Sequence, residues 1–518
     1  MKSILSILLA LCFLTAAAGC MKTPVETHPS TEESVFEEVS IPFSLLAQTL
    51  VDPRDFGAKG DGVTDDSQAI TQAVKAAQEA GCGLALFAGE YRLEKNVQIP
   101  REISVMFEQG AVLAPVAESR LQFDGGIEAG DWQIFGGEGT LTGDPLAEMG
   151  NPLWFGAKGD GVTDDSKAIS QALNMFREVR LPVTEKGYAV TSVSLTRQCR
   201  FGGRGGKVVL VATETAQDVL TISSSCVMVD NLSFVMTQAP EATCIYLDDS
   251  RAGFDRMDID GIDTLDAFCV VRDAKHAKNM ICTAHFNNFT CMDNRGTSFD
   301  LTDAWGFVFA KDILIDNSAS KTKHGANGFT AIKVTDNAGI IMNNITVLGD
   351  PSSNARSHGV EINNSMAVWI EGLKVHNVGG CGLKNNGVFS YGYLKNHKYV
   401  GCGGIAVSIA NSWYLQFSGI ELDGLKADGT HSDKAGMQMS SPLMPMLYGI
   451  SAKNFDTVPL SLRTVNAGVV SCVWAEGCSK NTLTLVAPTC TAVCTVAGGA
   501  EISGNSRGSG VVGHEQST

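Results

Sequence analysis

A short apolar unit recurs along most of this chain and constrains its fold more than any other feature. Each unit is an apolar stretch interrupted by Asn, Asp or Gly, and the interruptions follow one another at intervals of 23 to 35 residues. Units of this length bury their apolar face only against their neighbours, as in a solenoid. Short strands between Gly, Asn and Asp turns favour a β-solenoid over helical repeats, and stacked Asn side chains would hydrogen-bond from coil to coil. The predicted junctions are Asn231-Leu232, Asp258-Ile259, Asn288-Phe289, Asp312-Ile313, Asn344-Ile345, Gly372-Leu373, Asn396-His397, Gly419-Ile420 and Asn454-Phe455.

The composition agrees with an all-β solenoid and narrows the range of partners. The 518 residues include 55 glycines, and only 18% of the residues are charged, which is typical of many tight turns between short strands. The formal net charge of -17 argues against a nucleic-acid partner, which needs a basic face. It does not exclude an acidic polysaccharide, because a local basic groove can lie on an acidic body.

A twelve-residue motif occurs twice without change. Phe56–Ser67 and Phe155–Ser166 are identical, and an amphipathic helix pattern follows each copy. Gly60-Asp61-Gly62 predicts a tight turn, and Thr64 or Asp65 would cap the helix, at whose positive end the carboxylates lie. A bound cation or a catalytic carboxylate pair is the alternative interpretation of the same residues.

Both copies of this motif resemble the N-terminal motif of the pectate-lyase superfamily, which includes rhamnogalacturonase/epimerase-like enzymes, proteins related to family-28 glycoside hydrolases, and phage tailspikes. The resemblance implies a right-handed parallel β-helix (pectin-lyase-like) with a short capping helix after each motif copy. It also implies a polysaccharide lyase or glycoside hydrolase. The alternative is a non-catalytic glycan-binding or tailspike-like adhesin or depolymerase, because residues 107–143 are similar to stretches of phage tail proteins.

The N-terminus has the pattern of an export signal. Lys2 precedes an apolar run from Ile4 to Leu14, and small residues lead to Cys20. The Ala-Gly-Cys ending resembles a bacterial lipobox, so we expect residues 1–20 to be a lipoprotein signal peptide with lipidation at Cys20. The protein would then be an exported cell-envelope lipoprotein, at the outer membrane or cell surface, with simple secretion as the alternative.

The remaining chain divides into four predicted regions. Residues 21–50 form a polar tether, 51–150 a short N-terminal β-helical unit with a capping helix, 151–480 the main parallel β-helix, and 481–518 a C-terminal cap and tail.

A row of outward charges is predicted on one face of the main β-helix. Alternation in the second strand of each coil places Ile245, Val334, Val360 and Ile362 inside and stacks Asp300, Lys333, Glu361 and Lys384 outside on adjacent coils. Tyr246 and Val270 would precede them in the same row, with Arg272 two residues further along its strand. A cation would neutralise a uronate carboxylate while a base removes the α proton, or paired carboxylates would act as acid and base. The alternative is a solvated charge ladder.

Further residues complete the predicted site. Asp303, Asp336 and His358 join Asp300, Lys333 and Glu361 as catalytic candidates, and the candidates for substrate binding are Tyr246, Arg272, Lys323, His324 and Lys384. Ser357-His358-Gly359 resembles the histidine element of family-28 polygalacturonases, and among that family's motifs only His358 carries over.

No metal or cofactor is predicted. The 15 cysteines show no CxxC or His/Cys metal spacing, so no metal site is assigned and a calcium requirement is left open. The expected partner is a polysaccharide, with no nucleic acid, and with a membrane only through the lipid anchor. The oligomeric state is left open.

Overall fold

The computed structural model of the protein describes a parallel β-solenoid of about 15 turns. The described residues are 50–248, 256–273, 283–302, 306–318, 330–350, 357–463, 466–478, 483–486, 489–497, 502–504 and 512–516. The predicted right-handed parallel β-helix is confirmed. Within these ranges, no helix combines the length and the apolar character that crossing a bilayer requires.

The N-terminal part forms three small parallel sheets, each of three strands. The sheets are β1-β3-β6, β2-β5-β8 and β4-β7-β9, which is the three-sided arrangement of a short β-helix. Their strands β1 to β9 are Asp61–Asp65, Leu84–Leu86, Gly89–Leu93, Val97–Ile99, Ser104–Phe107, Ala111–Pro115, Arg120–Phe123, Gly126–Glu128 and Thr140–Thr142. One further pairing in this part is an isolated bridge between Leu113 and Phe135. The predicted bounds of this region stay predictions.

Each copy of the motif leads into a helix, as expected. Short 3-10 helices at Pro53–Phe56 and Pro152–Phe155 precede the two copies of the Gly-Asp-Gly turn, and α1 (Ser67–Ala80) and α2 (Ser166–Met175) follow them. The Asp66 carboxylate accepts the backbone N–H groups of Lys59 (2.7 Å) and Gly60 (2.9 Å). The capping position is Asp66 and not the predicted Thr64 or Asp65, although Asp65 accepts the N–H of Ser67, the first residue of the helix. These carboxylates therefore fix the turn and the helix start, which accounts for the motif without a cation.

In the part of the chain that the structure describes, the main β-helix is one continuous ladder of 31 parallel strands. Most strands pair with the strand at the equivalent position one coil later, so residues far apart in sequence lie side by side. Strands β10 to β25 are Asp160–Asp164, Glu178–Pro182, Gly187–Val190, Val193–Leu195, Arg200–Arg204, Val208–Ala212, Asp218–Ile222, Val227–Val235, Thr243–Leu247, Met257–Leu265, Cys269–Asp273, Thr283–Met292, Phe299–Thr302, Phe307–Asp316, Thr330–Thr335 and Gly339–Leu348. Strands β26 to β40 are His358–Asn363, Ser365–Glu371, Lys374–His376, Leu383–Val400, Val407–Trp413, Leu415–Asp423, Met437–Ser440, Pro442–Leu443, Met446–Lys453, Leu460–Arg463, Asn466–Glu476, Leu483–Val486, Thr489–Ala497, Ile502–Gly504 and Val512–Gln516.

The longer strands bend where the sequence has Asn, Asp or Gly. Asn344 has a positive φ of 54°, and its side-chain amide donates to Asp312 on the preceding coil at 2.7 Å. The coil-to-coil hydrogen bonds predicted for such junctions are therefore present. One predicted junction is wrong: the bend expected at Asp258 lies at Gly261, whose φ is 67°. Glycine and asparagine tolerate this left-handed conformation better than other residues do.

Apolar columns fill the interior along the axis. Ile245, Val271, Phe299, Ile332 and Val360 follow one another in register, and all are buried. Val334 and Ile362 form a second buried column two residues further on. Each such side chain contributes about 1.5–3 kcal/mol when fully buried. This inward order fixes which side chains of the same strands point outward.

Candidate functional site

The outward row predicted from the sequence is present, with one change of register. Tyr246, Arg272, Asp300, Lys333, Glu361 and Lys384 occupy the same position on the successive strands β18, β20, β22, β24, β26 and β29. Val270, expected in this row, is buried, and Arg272 takes its place. We call these six residues the charged row. Because an offset of two residues preserves the face of a strand, the sequence predicted the correct side but the wrong residue.

Carboxylates and ammonium groups alternate along the charged row. Lys333 Nζ lies 3.6 Å from Asp300 Oδ1, and Lys384 Nζ lies 3.9 Å from Glu361 Oε1. Both distances are long for a salt bridge, and the side chains remain partly exposed. Pairs of this kind contribute about 0–1 kcal/mol to stability. The charged groups are thus held near one another and still accessible from solvent.

Arg272 lies next to Tyr246, the first residue of the row. Its Nη2 donates to Asp218 Oδ1 at 2.9 Å, and its guanidinium carbon lies 5.2 Å from the centre of the Tyr246 ring. The ion pair and the ring fix the orientation of the guanidinium. Tyr246 and Arg272, both predicted to bind substrate, therefore lie side by side.

His358, at the start of β26, is held in one tautomer. Its Nδ1 accepts the backbone N–H of Cys381 at 2.9 Å, and its Nε2 lies 3.1 Å from Lys384 Nζ. A backbone N–H only donates, so Nδ1 carries a lone pair and the neutral ring has its proton on Nε2. Burial, followed by the charge of Lys384, lowers the pKa of His358, and Glu361 acts in the opposite direction. His358 is therefore a neutral hydrogen-bond donor near neutral pH.

The contact between His358 and Lys384 brings two donors together. As an ammonium, Lys384 has three N–H donors and no acceptor, and the Nε2–H of His358 also donates. An anionic oxygen beside both nitrogens, at hydrogen-bond distance from each, would accept from both groups. The arrangement therefore suits one oxygen of a carboxylate, the chemical group that distinguishes a uronate from a neutral sugar.

Glu361 is oriented by two amides that the sequence analysis did not assign to the site. Its Oε1 accepts from Asn363 Nδ2 and Asn386 Nδ2, both at 3.2 Å. Asn386 also donates its backbone N–H to Asn363 Oδ1 at 2.8 Å. The signal for them was present in the sequence, since each Asn lies two residues beyond a member of the charged row. Among the described residues, the hydrogen bonds and the ion pair of Glu361 engage Oε1.

The other predicted site residues lie elsewhere or outside the described residues. Asp336 occupies the corner after β24, with a φ of 54°, and its Oδ1 accepts from Asn364 Nδ2 at 2.9 Å. It is part of a structural ladder at that corner and not of the charged row, so a catalytic role for it stays a prediction. Asp303, Lys323, His324 and Cys20 lie outside the described residues.

Parts of this chain are similar to known proteins. Residues 51–111 match the family model described as rhamnogalacturonase A/epimerase, pectate lyase-like. The predicted resemblance to the pectate-lyase superfamily is confirmed. The chain is also 34% identical over 130 residues to the capsule K30/K69-specific depolymerase 1 of Klebsiella phage K5-2, and 35% identical over 109 residues to the mannuronan C5-epimerase AlgE1 of Azotobacter vinelandii. These matches cover 24% and 20% of this chain, and only 14% and 8% of the two relatives' own lengths.

Among solved structures, the active domain of tailspike protein 2 from bacteriophage CBA120 aligns with a TM-score of 0.36 and 16% identity. The alignment covers 61% of this chain and 47% of that one.

The donor set of the charged row is suited to anions more than to metal ions. Within the described ranges, no group of three or more His, Cys, Asp or Glu side chains is arranged to hold a metal ion. Asp300 and Glu361 each have a lysine on an adjacent coil, and such a cation opposes a second positive charge at the same carboxylate.

Proposed function

We propose that this protein acts on a uronate-containing polysaccharide that lies along the charged row. The facing donors of His358 and Lys384 are the observation that carries the proposal, because a carboxylate oxygen would satisfy both. Two relatives with polysaccharide-related activities, a capsule-specific depolymerase and a mannuronan epimerase, support a glycan as the substrate class.

The reaction that this arrangement supports best is β-elimination. A uronate carboxylate bound by the Nε2–H of His358 and by the Lys384 ammonium has its charge neutralised, which makes the proton on the adjacent carbon more acidic. Glu361 takes this proton. A carbon–carbon double bond forms as the glycosidic C–O bond breaks, and Lys333 on the other side of Glu361 protonates the departing oxygen. The products are an unsaturated uronate and a shortened glycan.

Hydrolysis is the second candidate, because Asp300 and Glu361 lie two strand spacings apart, about 9.6 Å. This backbone separation lies just above the roughly 6.5–9.5 Å found between the carboxyl groups of inverting glycosidases. One carboxyl would protonate the leaving oxygen while the other activates a water molecule. The product would then carry a new reducing end and no double bond.

A product assay on soluble polygalacturonate, rhamnogalacturonan and alginate tests the proposal. We expect ultraviolet absorbance from an unsaturated product on at least one of them, together with loss of this signal in Glu361→Gln. New reducing ends without absorbance would support the hydrolase. Binding without turnover would identify a non-catalytic adhesin and would refute the enzymatic proposal.

A matched control separates the charged row from surface charge in general. Lys398 and Glu421 form an ion pair between adjacent coils with a distance of 3.1 Å, and Lys398 lies beyond the bend at Asn396, outside the charged row. Lys398→Gln should leave turnover unchanged, whereas Lys384→Gln should reduce it. An equal loss in both variants would show that general surface charge, and not this site, governs activity.

We further propose that the protein is exported and held at the cell envelope by a lipid on Cys20, and that it needs no metal ion. Metabolic labelling with a radioactive fatty acid should mark the wild type and not Cys20→Ala, which should be released from the membrane fraction. Turnover should survive an excess of chelator, because lysines and not metal ions flank the carboxylates of the charged row. Loss of activity on chelation, restored by calcium, would contradict the metal-free proposal.

A further inference from the structure

A second surface lies around the corner from the charged row, and it is aromatic and apolar where the row is charged. His285, Phe309, Ile341, Trp369 and Tyr393 occupy one outward position on β21, β23, β25, β27 and β29. A parallel column two residues earlier contains Phe307, Gly339, Ala367 and Tyr391, and Tyr414 lies next to Tyr391. We call these two columns the aromatic stripe. It spans six coils of the main β-helix.

The rings of the aromatic stripe are ordered and accessible. His285 stacks on Phe309 with ring centres 4.6 Å apart, and Tyr391 stacks on Tyr414 at 5.4 Å. Trp369, Tyr391 and Tyr414 are 37%, 51% and 40% exposed. A contiguous apolar patch that is exposed to solvent is often a binding site.

Glycine helps to keep part of the stripe flat. A Cβ added to Gly339 would lie 2.6 Å from Cε1 of the Phe307 ring. The ring therefore lies over the backbone of the next coil and does not stand away from the sheet. A ring in this position presents a face to a ligand that lies along the stripe.

Polar side chains border the stripe on one side. The next outward column contains Asn287, Lys311, Asn343, Glu371 and Lys395. Lys395 and Glu371 form an ion pair of 3.1 Å. A ligand on the apolar columns would thus have hydrogen-bonding groups along one edge. This combination of ring faces and polar edge fits sugars, whose rings have apolar C–H faces and hydroxyl groups at their rims.

The dimensions of the stripe favour a narrow, extended occupant. Five strand spacings of about 4.8 Å make it roughly 24 Å long, and two side-chain columns make it roughly 14 Å wide. The resulting area of about 340 Å² is less than half of the ~800 Å² that each partner contributes to a standard protein interface. A second copy of this chain would therefore need more surface than the stripe offers, whereas one glycan strand would fit along it.

We propose that the aromatic stripe binds an extended glycan strand through the C–H faces of neutral pyranose rings. This site is separate from the charged row, which we assign to a uronate carboxylate. This second proposal rests on the proposed function only for the class of ligand, a polysaccharide. It is tested by binding and not by turnover. A polymer with both neutral and acidic sugars could contact both surfaces, so that the stripe holds the polymer close to the charged row.

Affinity electrophoresis of the full-length protein in gels containing soluble neutral polysaccharides tests the stripe. The probes are laminarin, glucomannan and galactomannan, and the test variant is the double substitution Trp369→Ala/Tyr391→Ala. Trp474→Ala is the matched control, since Trp474 is 53% exposed but lies in the column of Glu421 and Ser451, outside the stripe. We expect at least one probe to retard the wild type and Trp474→Ala equally, and the double variant to bind with a Kd raised about tenfold or more, equivalent to about 1.4 kcal/mol.

The outcomes that overturn this inference are distinct from those that overturn the proposed function. Failure of every neutral probe to retard the wild type would refute the stripe, as would equal retardation of a folded double variant, with folding checked by circular dichroism. A wild type that sediments as an oligomer, with a monomeric double variant, would assign the stripe to self-association. Glu361→Gln should keep its retardation by the neutral probe even when turnover is lost, so either proposal can fail alone.

Discussion

At the scale of single residues, the hydrogen bonds of His358 determine its chemical role more than its position in the row does. The backbone N–H of Cys381 determines the tautomer of His358. In that tautomer, His358 Nε2 and Lys384 Nζ are both hydrogen-bond donors. A histidine in a groove is commonly considered as a base, but Nδ1 is already occupied here and Nε2 carries the proton. His358 is therefore better suited to bind an anion than to remove a proton, which leaves the base to Glu361.

Substitutions at Lys384 should separate charge from geometry. We expect Lys384→Gln to lower kcat/KM on a uronate polymer by about 10²–10³-fold, the range for removal of one donor that stabilises developing negative charge. Lys384→Arg should recover part of this loss, because a guanidinium still donates to a carboxylate although its geometry differs. Steady-state kinetics of both variants check the prediction. Equal activities of Gln and Arg variants would show that the positive charge is not used.

A second histidine should make the fold sensitive to acid. His397 is buried, with Nε2 3.0 Å from the carbonyl oxygen of Ile370 and Nδ1 2.9 Å from the Tyr399 hydroxyl, and burial lowers its pKa from 6.5 to about 4. Below pH 6.5 the His397 side chain binds a proton in the unfolded chain but not in the folded chain. The free energy of unfolding therefore falls until the pH reaches about 4. The loss approaches about 3 kcal/mol for this one group. Between pH 7 and pH 4, the Tm of His397→Gln should fall less than the Tm of the wild type. An equal fall in both proteins would contradict this assignment.

At the scale of strands and bends, the sequence determined the face of each residue better than its register. Alternation with period two placed Asp300, Lys333, Glu361 and Lys384 correctly, because a buried neighbour on each side fixes the face. The same rule could not distinguish Val270 from Arg272, or Asp258 from Gly261 as the bend, since coils differ in length and only contact between coils sets the alignment. Asn386 was missed for a related reason: its role depends on Asn363 and Glu361, which lie on the coil before it.

The bends offer a test of how the coils are held together. Asn344 combines a positive φ with a hydrogen bond to Asp312, so Asn344→Gly removes the hydrogen bond only, whereas Asn344→Ala adds strain from the left-handed backbone. We expect the Gly variant to lose about 0.5–1.5 kcal/mol of stability and the Ala variant about 1 kcal/mol more. Chemical denaturation of both variants measures the difference. An Ala variant at least as stable as the Gly variant would show that strain at this bend is negligible.

At the scale of the whole molecule, a chain with a net charge of -17 is proposed to bind a polyanion, so two electrostatic effects oppose each other. The body of the protein repels an acidic polymer at long range, while Arg272, Lys333 and Lys384 attract it at short range. Salt screens the two effects to different extents, since the Debye length is about 30 Å at 0.01 M and about 10 Å at 0.1 M. The long-range repulsion is therefore weakened first.

This difference predicts a KM that depends on salt in two directions. Between about 0.01 M and 0.1 M sodium chloride, the KM for a uronate polymer should fall as the repulsion between polymer and protein is screened. Toward about 1 M, where the Debye length is about 3 Å, the KM should rise again because the contacts with the charged row are weakened as well. Lys384→Gln should keep the fall at low salt and lose much of the rise at high salt. A KM that rises steadily from the lowest salt concentration would show that attraction dominates at all distances, and the net charge would then be irrelevant to substrate capture.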